Sequence, residues 1–91
     1  MIVKAIVVTL HLHEAKSLKD KRQVLKSLLD QVRRKFNVSI AEVGEQDSHR
    51  MAVLGIACVS NSDRHADQSL DTVVRLIENQ VDADIVSVER W

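Results

Sequence analysis

Basic side chains concentrate in one stretch of the sequence. Between residues 16 and 35 there are only two acids, Asp20 and Asp30. The bases in that stretch are Lys16, Lys19, Lys21, Arg22, Lys26, Arg33, Arg34 and Lys35. If the stretch is helical, some of them share an arc of roughly 60° at 3.6 residues per turn. This stripe consists of Lys19, Arg22, Lys26 and Arg33. A basic stripe of this kind can neutralise phosphates along an RNA groove or a single strand.

The C-terminal part of the chain has the opposite charge balance. From residue 61 onward acids outnumber bases, and the formal net charge of the whole chain is zero. Several of these acids share one face of a second predicted helix. They are Asp63, Asp67, Asp71 and Glu78. The sequence leaves open whether this acidic stripe pairs with the basic stripe or whether both are solvated surfaces.

The sequence contains no recognisable catalytic motif. An acylphosphatase-like enzyme would hold phosphate with an arginine in its first loop, but residues 13–17 include neither arginine nor glycine. The chain has two glycines in all, too few for a phosphate-cradling loop, and it lacks a nucleophile elbow and a nucleotide motif. We therefore predict no enzymatic activity, no catalytic residue and no cofactor.

His11 and His13 have a spacing that can bind a metal. Two positions apart on a strand, they share a face and could chelate Zn²⁺ if His49 or an acid such as Glu14 joined them. Solvated histidines at the end of a strand are the commoner outcome. No metal site is therefore predicted, and whether this pair ever binds a metal stays open at this point.

The basic stretch is positioned by a capped amphipathic helix. Ser17 is a suitable N-cap, with Asp20 at the capping-box position. Apolar residues then recur at three- and four-residue steps, which indicates one buried face. They are Leu18, Val24, Leu25, Leu28, Leu29, Val32 and Phe36.

Four strands and a second helix complete the predicted fold. Alternating apolar patterns predict strands at 2–13, 37–43, 50–60 and 82–90, and a second helix runs from cap residues at 60–63 to about Asn79. This βαββαβ order indicates a single α+β domain over residues 1–91, ferredoxin-like, with a four-stranded antiparallel sheet and two helices on one face. The first and third strands are apolar on both faces, so we predict that they are central.

The face of the sheet that the helices leave open is predicted to be apolar. Exposed apolar patches usually bind a partner, and the simplest partner is a second copy of the chain. We therefore predict a homodimer through the open face or a sheet edge. The central strands carry no aromatic residue, which argues against RNA recognition by base stacking.

The composition of the 91-residue chain favours a cytoplasmic protein. The apolar N-terminal run is too short to span a bilayer and lacks a small-residue cleavage site. Cys58 is the single cysteine and lies in an apolar run, which fits a reducing compartment. We expect no membrane partner.

Several segments along the chain together form a specific signature. They are SLKDKR at 17–22, KFNVSIAEV at 35–43, QD at 46–47, LGIA at 54–57 and VSN at 59–61. With these segments, nearly the full length of the chain resembles the YlxP-like family of small bacterial proteins of unknown function. The resemblance implies a ferredoxin-like fold, no established activity, and genes often found near those for translation initiation and ribosome-binding factors. It therefore favours an RNA- or ribosome-linked role.

The hairpin after the second strand departs from the family pattern. Following Gln46 and Asp47 the family commonly has an aromatic residue, often Trp, and then Gln and Arg, whereas this chain has His49, Arg50 and Met51. Histidine stacks on a base more weakly, and Arg50 can replace the charge one position early. The resemblance thus adds Gln46, Asp47, His49 and Arg50 to the candidate partner-binding residues.

These observations predict a non-enzymatic binding module for ribosomal or other structured RNA, or for a ribosome-assembly protein. Its main contact residues are predicted to be Lys16, Lys19, Lys21, Arg22, Lys26 and Arg33. The alternative is a dimeric regulatory domain of the ACT-like kind that binds a small ligand or a protein. A phosphatase-like enzyme is the third possibility.

Overall fold

The computed structural model describes residues 1–80 and 82–91 and has the predicted βαββαβ order. The elements are β1 (Ile2–Leu12), α1 (Leu18–Lys35), β2 (Val38–Gly44), β3 (Met51–Ser60), α2 (Asp63–Gln80) and β4 (Ala83–Arg90). The strands form one sheet in the order β2-β3-β1-β4, and each neighbouring pair is antiparallel. This topology confirms the ferredoxin-like fold and the central position of β1 and β3.

Both helices begin at serine caps. The Ser17 hydroxyl accepts a hydrogen bond from the Asp20 amide at 3.1 Å, and the Asp20 carboxylate accepts one from the Lys16 amide at 3.1 Å. The predicted cap of α1 is thus confirmed, although the reciprocal contact reaches one residue before the N-cap. At the start of α2 the Ser62 hydroxyl accepts from the His65 amide at 3.2 Å. The bonds to the two serine hydroxyls satisfy first-turn amides, of Asp20 and His65, that have no partner within the helix.

The hydrophobic core lies between the helices and one face of the sheet. Its strand residues are Ile6, Val8, Leu10, Leu12, Ile40, Ala52, Leu54, Ile56 and Cys58. Its helix and loop residues are Ala15, Leu25, Leu28, Val32, Ala66, Leu70, Val73 and Ile77. The apolar periodicities of the sequence predicted most of this set. Val24 is the exception: it was assigned to the buried stripe of α1, but it is 38% exposed, because it lies at the border of that stripe.

The opposite face of the sheet is not covered by either helix. Val3, Val43 and Val59 are each more than half exposed, and Trp91, after the end of β4, is 91% exposed. Among the described residues, neither helix combines the length and the apolarity that crossing a bilayer requires. The open face is therefore an apolar surface that neither helix covers.

Candidate functional site

The N-terminal half of α1 and the loop before it carry a row of exposed bases. Lys16, Lys19, Arg22 and Lys26 all have exposed side chains. Within residues 1–80 and 82–91, no acidic side chain lies within ion-pair distance of any of these bases. We call these residues the basic row. Their positive charges are not neutralised by the described part of the fold.

Two acids of the α2 stripe, Asp63 and Asp67, pair with the sheet and not with the basic row. The Lys4 ammonium of β1 lies 2.9 Å from the Asp63 carboxylate and 3.0 Å from that of Asp67. Asp67 also pairs with the Arg90 guanidinium of β4 at 3.1 Å. The question that the sequence left open is thus answered for the described residues, because the two stripes do not meet.

These contacts shift the pKa values of two groups. Hydrogen bonds to Asp63 and Asp67 raise the pKa of Lys4 above its ordinary value. Hydrogen bonds from Lys4 and then from Arg90 lower the pKa of Asp67. Both shifts favour the charged forms, so Lys4 and Asp67 are ionised near neutral pH.

Lys21 corrects the predicted binding surface. It was assigned to the partner-binding bases, but its side chain is only 2% exposed. Its position explains the burial, since it precedes Leu25 by four residues and Leu28 by seven and so lies on the buried face of α1. Lys21 therefore cannot contact an external partner in this fold.

The buried Lys21 ammonium holds the β2–β3 hairpin against α1. It donates hydrogen bonds to the carbonyl oxygens of Glu45 at 2.7 Å and Ser48 at 2.6 Å. It also lies 2.8 Å from Glu42 Oε2, in an ion pair whose angles are outside those of a hydrogen bond. Glu42 Oε2 accepts no hydrogen bond from any other described residue. The lysine thus compensates a buried carboxylate oxygen and orders the hairpin.

The hairpin residues predicted from the family resemblance lie beside the start of α1. Gln46, Asp47 and Arg50 are exposed, and His49 is half-buried. The Arg50 carbonyl accepts a hydrogen bond from the Leu12 amide at 2.7 Å, which fixes the hairpin to the end of β1. The basic row and the hairpin are therefore at the same end of the molecule, as a shared contact surface would require.

Arg33, also predicted as a partner-binding base, differs from the basic row in its contacts. Its side chain is about half exposed, but its guanidinium donates to the Ile40 carbonyl at 2.7 Å and lies 3.9 Å from the Asp30 carboxylate. This bond ties α1 to the edge strand β2. Arg33 is therefore already engaged by the fold, unlike the members of the basic row.

A separate cluster at the β1–β4 border contains metal-ligating side chains. The ligand atoms of His11, His13 and Asp84 all lie within 4.8 Å of one another. The third member is Asp84, and not His49 or Glu14 as considered from the sequence. Asp84 could not be assigned from spacing, because it comes opposite His11 only through the register of β1 with β4.

Comparison with known proteins agrees with this fold and adds no activity. A de novo designed protein with a ferredoxin fold, solved by solution NMR, is similar with a TM-score of 0.64 and 17% identity, over 100% of this chain and 84% of the designed one. That likeness concerns the fold alone. The chain is 44% identical over 68 residues to "Uncharacterized protein YlxP" of Bacillus subtilis (strain 168), which covers 75% of this chain and 74% of that protein. The family described as "Protein of unknown function (DUF503)" matches residues 3–90. The chain therefore belongs to the DUF503 family, to which its description assigns no function.

Proposed function

We propose that this protein is a non-enzymatic cytoplasmic module that binds ribosomal or other structured RNA through the basic row of α1. The observation that supports the proposal most is that Lys16, Lys19, Arg22 and Lys26 are exposed and have no acidic partner among the described residues. The chain is net neutral, but Asp63 and Asp67 of α2 pair with Lys4 and Arg90 and not with α1. A local excess of positive charge therefore remains on α1. Such an excess is what attracts a phosphate backbone.

The dimensions of the row suit a nucleic-acid strand. From Lys19 to Lys26 the helix rises about 10 Å at 1.5 Å per residue. Over that distance a nucleic-acid strand presents several phosphates. The row has no aromatic side chain for stacking, so the contact is with phosphates and its specificity would come from RNA shape.

The hairpin adds polar groups at the same end of the molecule. Gln46, Asp47 and Arg50 are exposed there, and the Lys21 ammonium holds the loop in place. Arg50 can extend the phosphate contact, while Gln46 can hydrogen-bond a base edge or a ribose hydroxyl. In this proposal α1 supplies most of the affinity through RNA shape and phosphate contacts, and the hairpin adds base or ribose contacts.

The test is a charge reversal on α1 with a matched reversal on α2. Arg22→Glu with Lys26→Glu removes two phosphate contacts, whereas Arg64→Glu with Arg75→Glu makes the same change in net charge at exposed positions of α2. Binding to ribosomal RNA purified from Bacillus subtilis is measured between about 50 and 200 mM salt. With four phosphate contacts, the wild-type affinity should fall about 50- to 150-fold across that range.

The α1 variant should bind more weakly at low salt, and its logarithmic salt slope should be smaller by about 1.4 to 1.8. The α2 variant should keep the wild-type slope. Absence of wild-type binding at the lowest salt would contradict the proposal, and so would an equal loss in both variants, because the latter would reflect net charge and not a defined surface. Both variants should melt within a few degrees of the wild type, as exposed substitutions usually do.

The second candidate function is a dimeric regulatory domain, supported by a shallow depression on the open sheet face. The depression has a volume of about 350 Å³ and apolar walls that include Val7, Val43 and Trp91. Gly55 forms its floor, and a Cβ there would lie only 3.1 Å from a Val43 methyl group. Such a surface suits a second copy of the chain or a small apolar ligand, and neither would compete with RNA on α1.

A further inference from the structure

His11, His13 and Asp84 meet at one corner of the open sheet face. His11 and His13 are two positions apart along β1 and its extension, so their side chains point to the same face of the sheet. Asp84 lies opposite His11 in the antiparallel register of β1 with β4. His13 Nε2 is 3.2 Å from Asp84 Oδ2. The two imidazole rings are edge-on, with centroids 5.3 Å apart and an interplanar angle of 82°.

The backbone around the cluster is held on both sides. The His13 amide donates to the Asp82 carbonyl at 3.2 Å, which continues the β1–β4 pairing past the end of β1. The preceding residue, Leu12, donates its amide to the Arg50 carbonyl of the hairpin. The three side chains therefore project from a hydrogen-bonded framework and not from a free terminus.

The His13–Asp84 contact alone could be an ordinary ion pair, but it leaves the position of His11 unexplained. The ligand atom of His11 also lies within 4.8 Å of those of His13 and Asp84, although no direct hydrogen bond joins His11 to either. Tetrahedral Zn²⁺ with bonds of 2.0–2.1 Å places its ligand atoms about 3.3 Å apart. Side-chain rotations that shorten these separations by at most about 1.5 Å would bring the set to that spacing.

We propose that His11, His13 and Asp84 bind a divalent transition-metal ion, with Zn²⁺ as the preferred occupant. Two imidazoles and one carboxylate are a common ligand set for this ion, and three protein ligands leave a fourth position open to water or to another ligand. Glu14 directly follows His13, and Asp82 precedes Asp84 by two residues, so both add negative charge at this end of the sheet. The site lies on the sheet near the β2–β3 hairpin, and none of its three residues belongs to the basic row.

The test is Zn²⁺ binding to the untagged protein, measured by isothermal titration calorimetry and equilibrium dialysis with zinc chloride. The wild type should bind one ion per chain. His11→Asn should weaken binding at least tenfold, since loss even of groups that only support a ligand weakens zinc sites by about 10- to 100-fold. His11→Asn is the decisive variant because it leaves the His13–Asp84 contact intact.

The matched control is His49→Asn with His65→Asn, which removes the other two histidines of the chain and should leave zinc affinity unchanged. His13→Asn and Asp84→Asn should each lose affinity like His11→Asn. Circular dichroism checks that every variant is folded. The proposal would be overturned if the wild type did not bind zinc, or if His11→Asn bound zinc as tightly as the wild type. Loss of zinc binding in the His49/His65 variant would also overturn it.

A second readout is thermal stability. A zinc concentration of about 100 times the Kd should raise the melting temperature by roughly 10–20 °C for a domain of this size. The wild type and the His49/His65 variant should both show the rise, and His11→Asn should not. An equal rise in His11→Asn would place the bound ion elsewhere on the chain and overturn the assignment.

Discussion

At the scale of single residues, Lys21 is the side chain on which the hairpin depends most. Replacing it with methionine keeps most of the apolar stem but removes the donor to Glu45 and Ser48 and the counter-charge of Glu42. Because two carbonyls and a carboxylate oxygen then lose their partner, we expect Lys21→Met to lower the free energy of unfolding by about 2–4 kcal/mol. Urea denaturation monitored by circular dichroism measures the loss.

The control for this prediction is Lys19→Met, two residues earlier in the same helix and exposed. It should change the free energy of unfolding by no more than about 0.5 kcal/mol. Adding Glu42→Gln to Lys21→Met should recover part of the loss, since it removes the uncompensated charge. Equal effects of Lys19→Met and Lys21→Met would show that the buried ammonium is not a stabilising group.

The burial of Lys21 was predictable in part. Its spacing to Leu25 and Leu28 matches the apolar face of α1. That periodicity should count for more than the charge of Lys21 when its side chain is assigned to the buried or the exposed face. Its partners were not predictable, because they are backbone carbonyls of a hairpin 24 and 27 residues away. A basic residue on an apolar helical face is thus better interpreted as a buried charge with unknown partners.

At the scale of elements, the contacts of α2 with β1 and β4 predict a dependence of stability on pH. The folded-state pKa of Asp67 lies below its ordinary value of 3.8. Its stabilising contribution is therefore fully present above that value and is lost as the pH falls through the folded pKa. The pKa of Lys4 is raised above 10.5, so its contribution is present below that value and lost as the pH rises through the folded pKa.

Thermal melts of the wild type and Asp67→Asn test this dependence. The wild type should melt higher at neutral pH, and the difference should shrink as the pH falls below about 4. Both partners are solvent-accessible, so the difference should be modest and should decrease with salt. Asp71→Asn is the control, because the exposed Asp71 has no ion pair among the described residues. A difference between wild type and Asp67→Asn that does not change with pH would contradict the prediction.

The element boundaries show which features of the fold can be predicted from local sequence patterns. Alternation on the strands, helical periodicity and the serine caps are local properties, and they place each predicted element close to its observed bounds. The pairs Lys4–Asp67, Asp67–Arg90 and His11–Asp84 join distant parts of the chain. They arise from strand order and register, including the irregularity after Thr9 in the β1–β4 pairing, which no local pattern encodes.

At the scale of the whole molecule, the distribution of charge matters more than its sum. The net charge of zero suggests no preference for an anionic partner. In the fold, however, acids of α2 are paired within the β1–α2–β4 network, while the basic row of α1 has no such pairing in the described chain. The molecule therefore has a positive flank and an apolar open face on different surfaces.

The open face of the sheet is predicted to mediate self-association. Val3 and Val59 are register partners on β1 and β3, and both are more than half exposed in a single chain. We expect the wild type to show a concentration-dependent monomer–dimer equilibrium in sedimentation velocity, because a two-fold pairing would bury this apolar surface against itself.

Val59→Lys should shift the equilibrium to monomer without lowering the melting temperature of the monomer. Val24→Lys, a partly exposed valine of α1 on the helical layer, should leave it unchanged. A wild type that stays monomeric at the highest concentration would exclude a homodimer and leave the depression beside Trp91 to a small ligand.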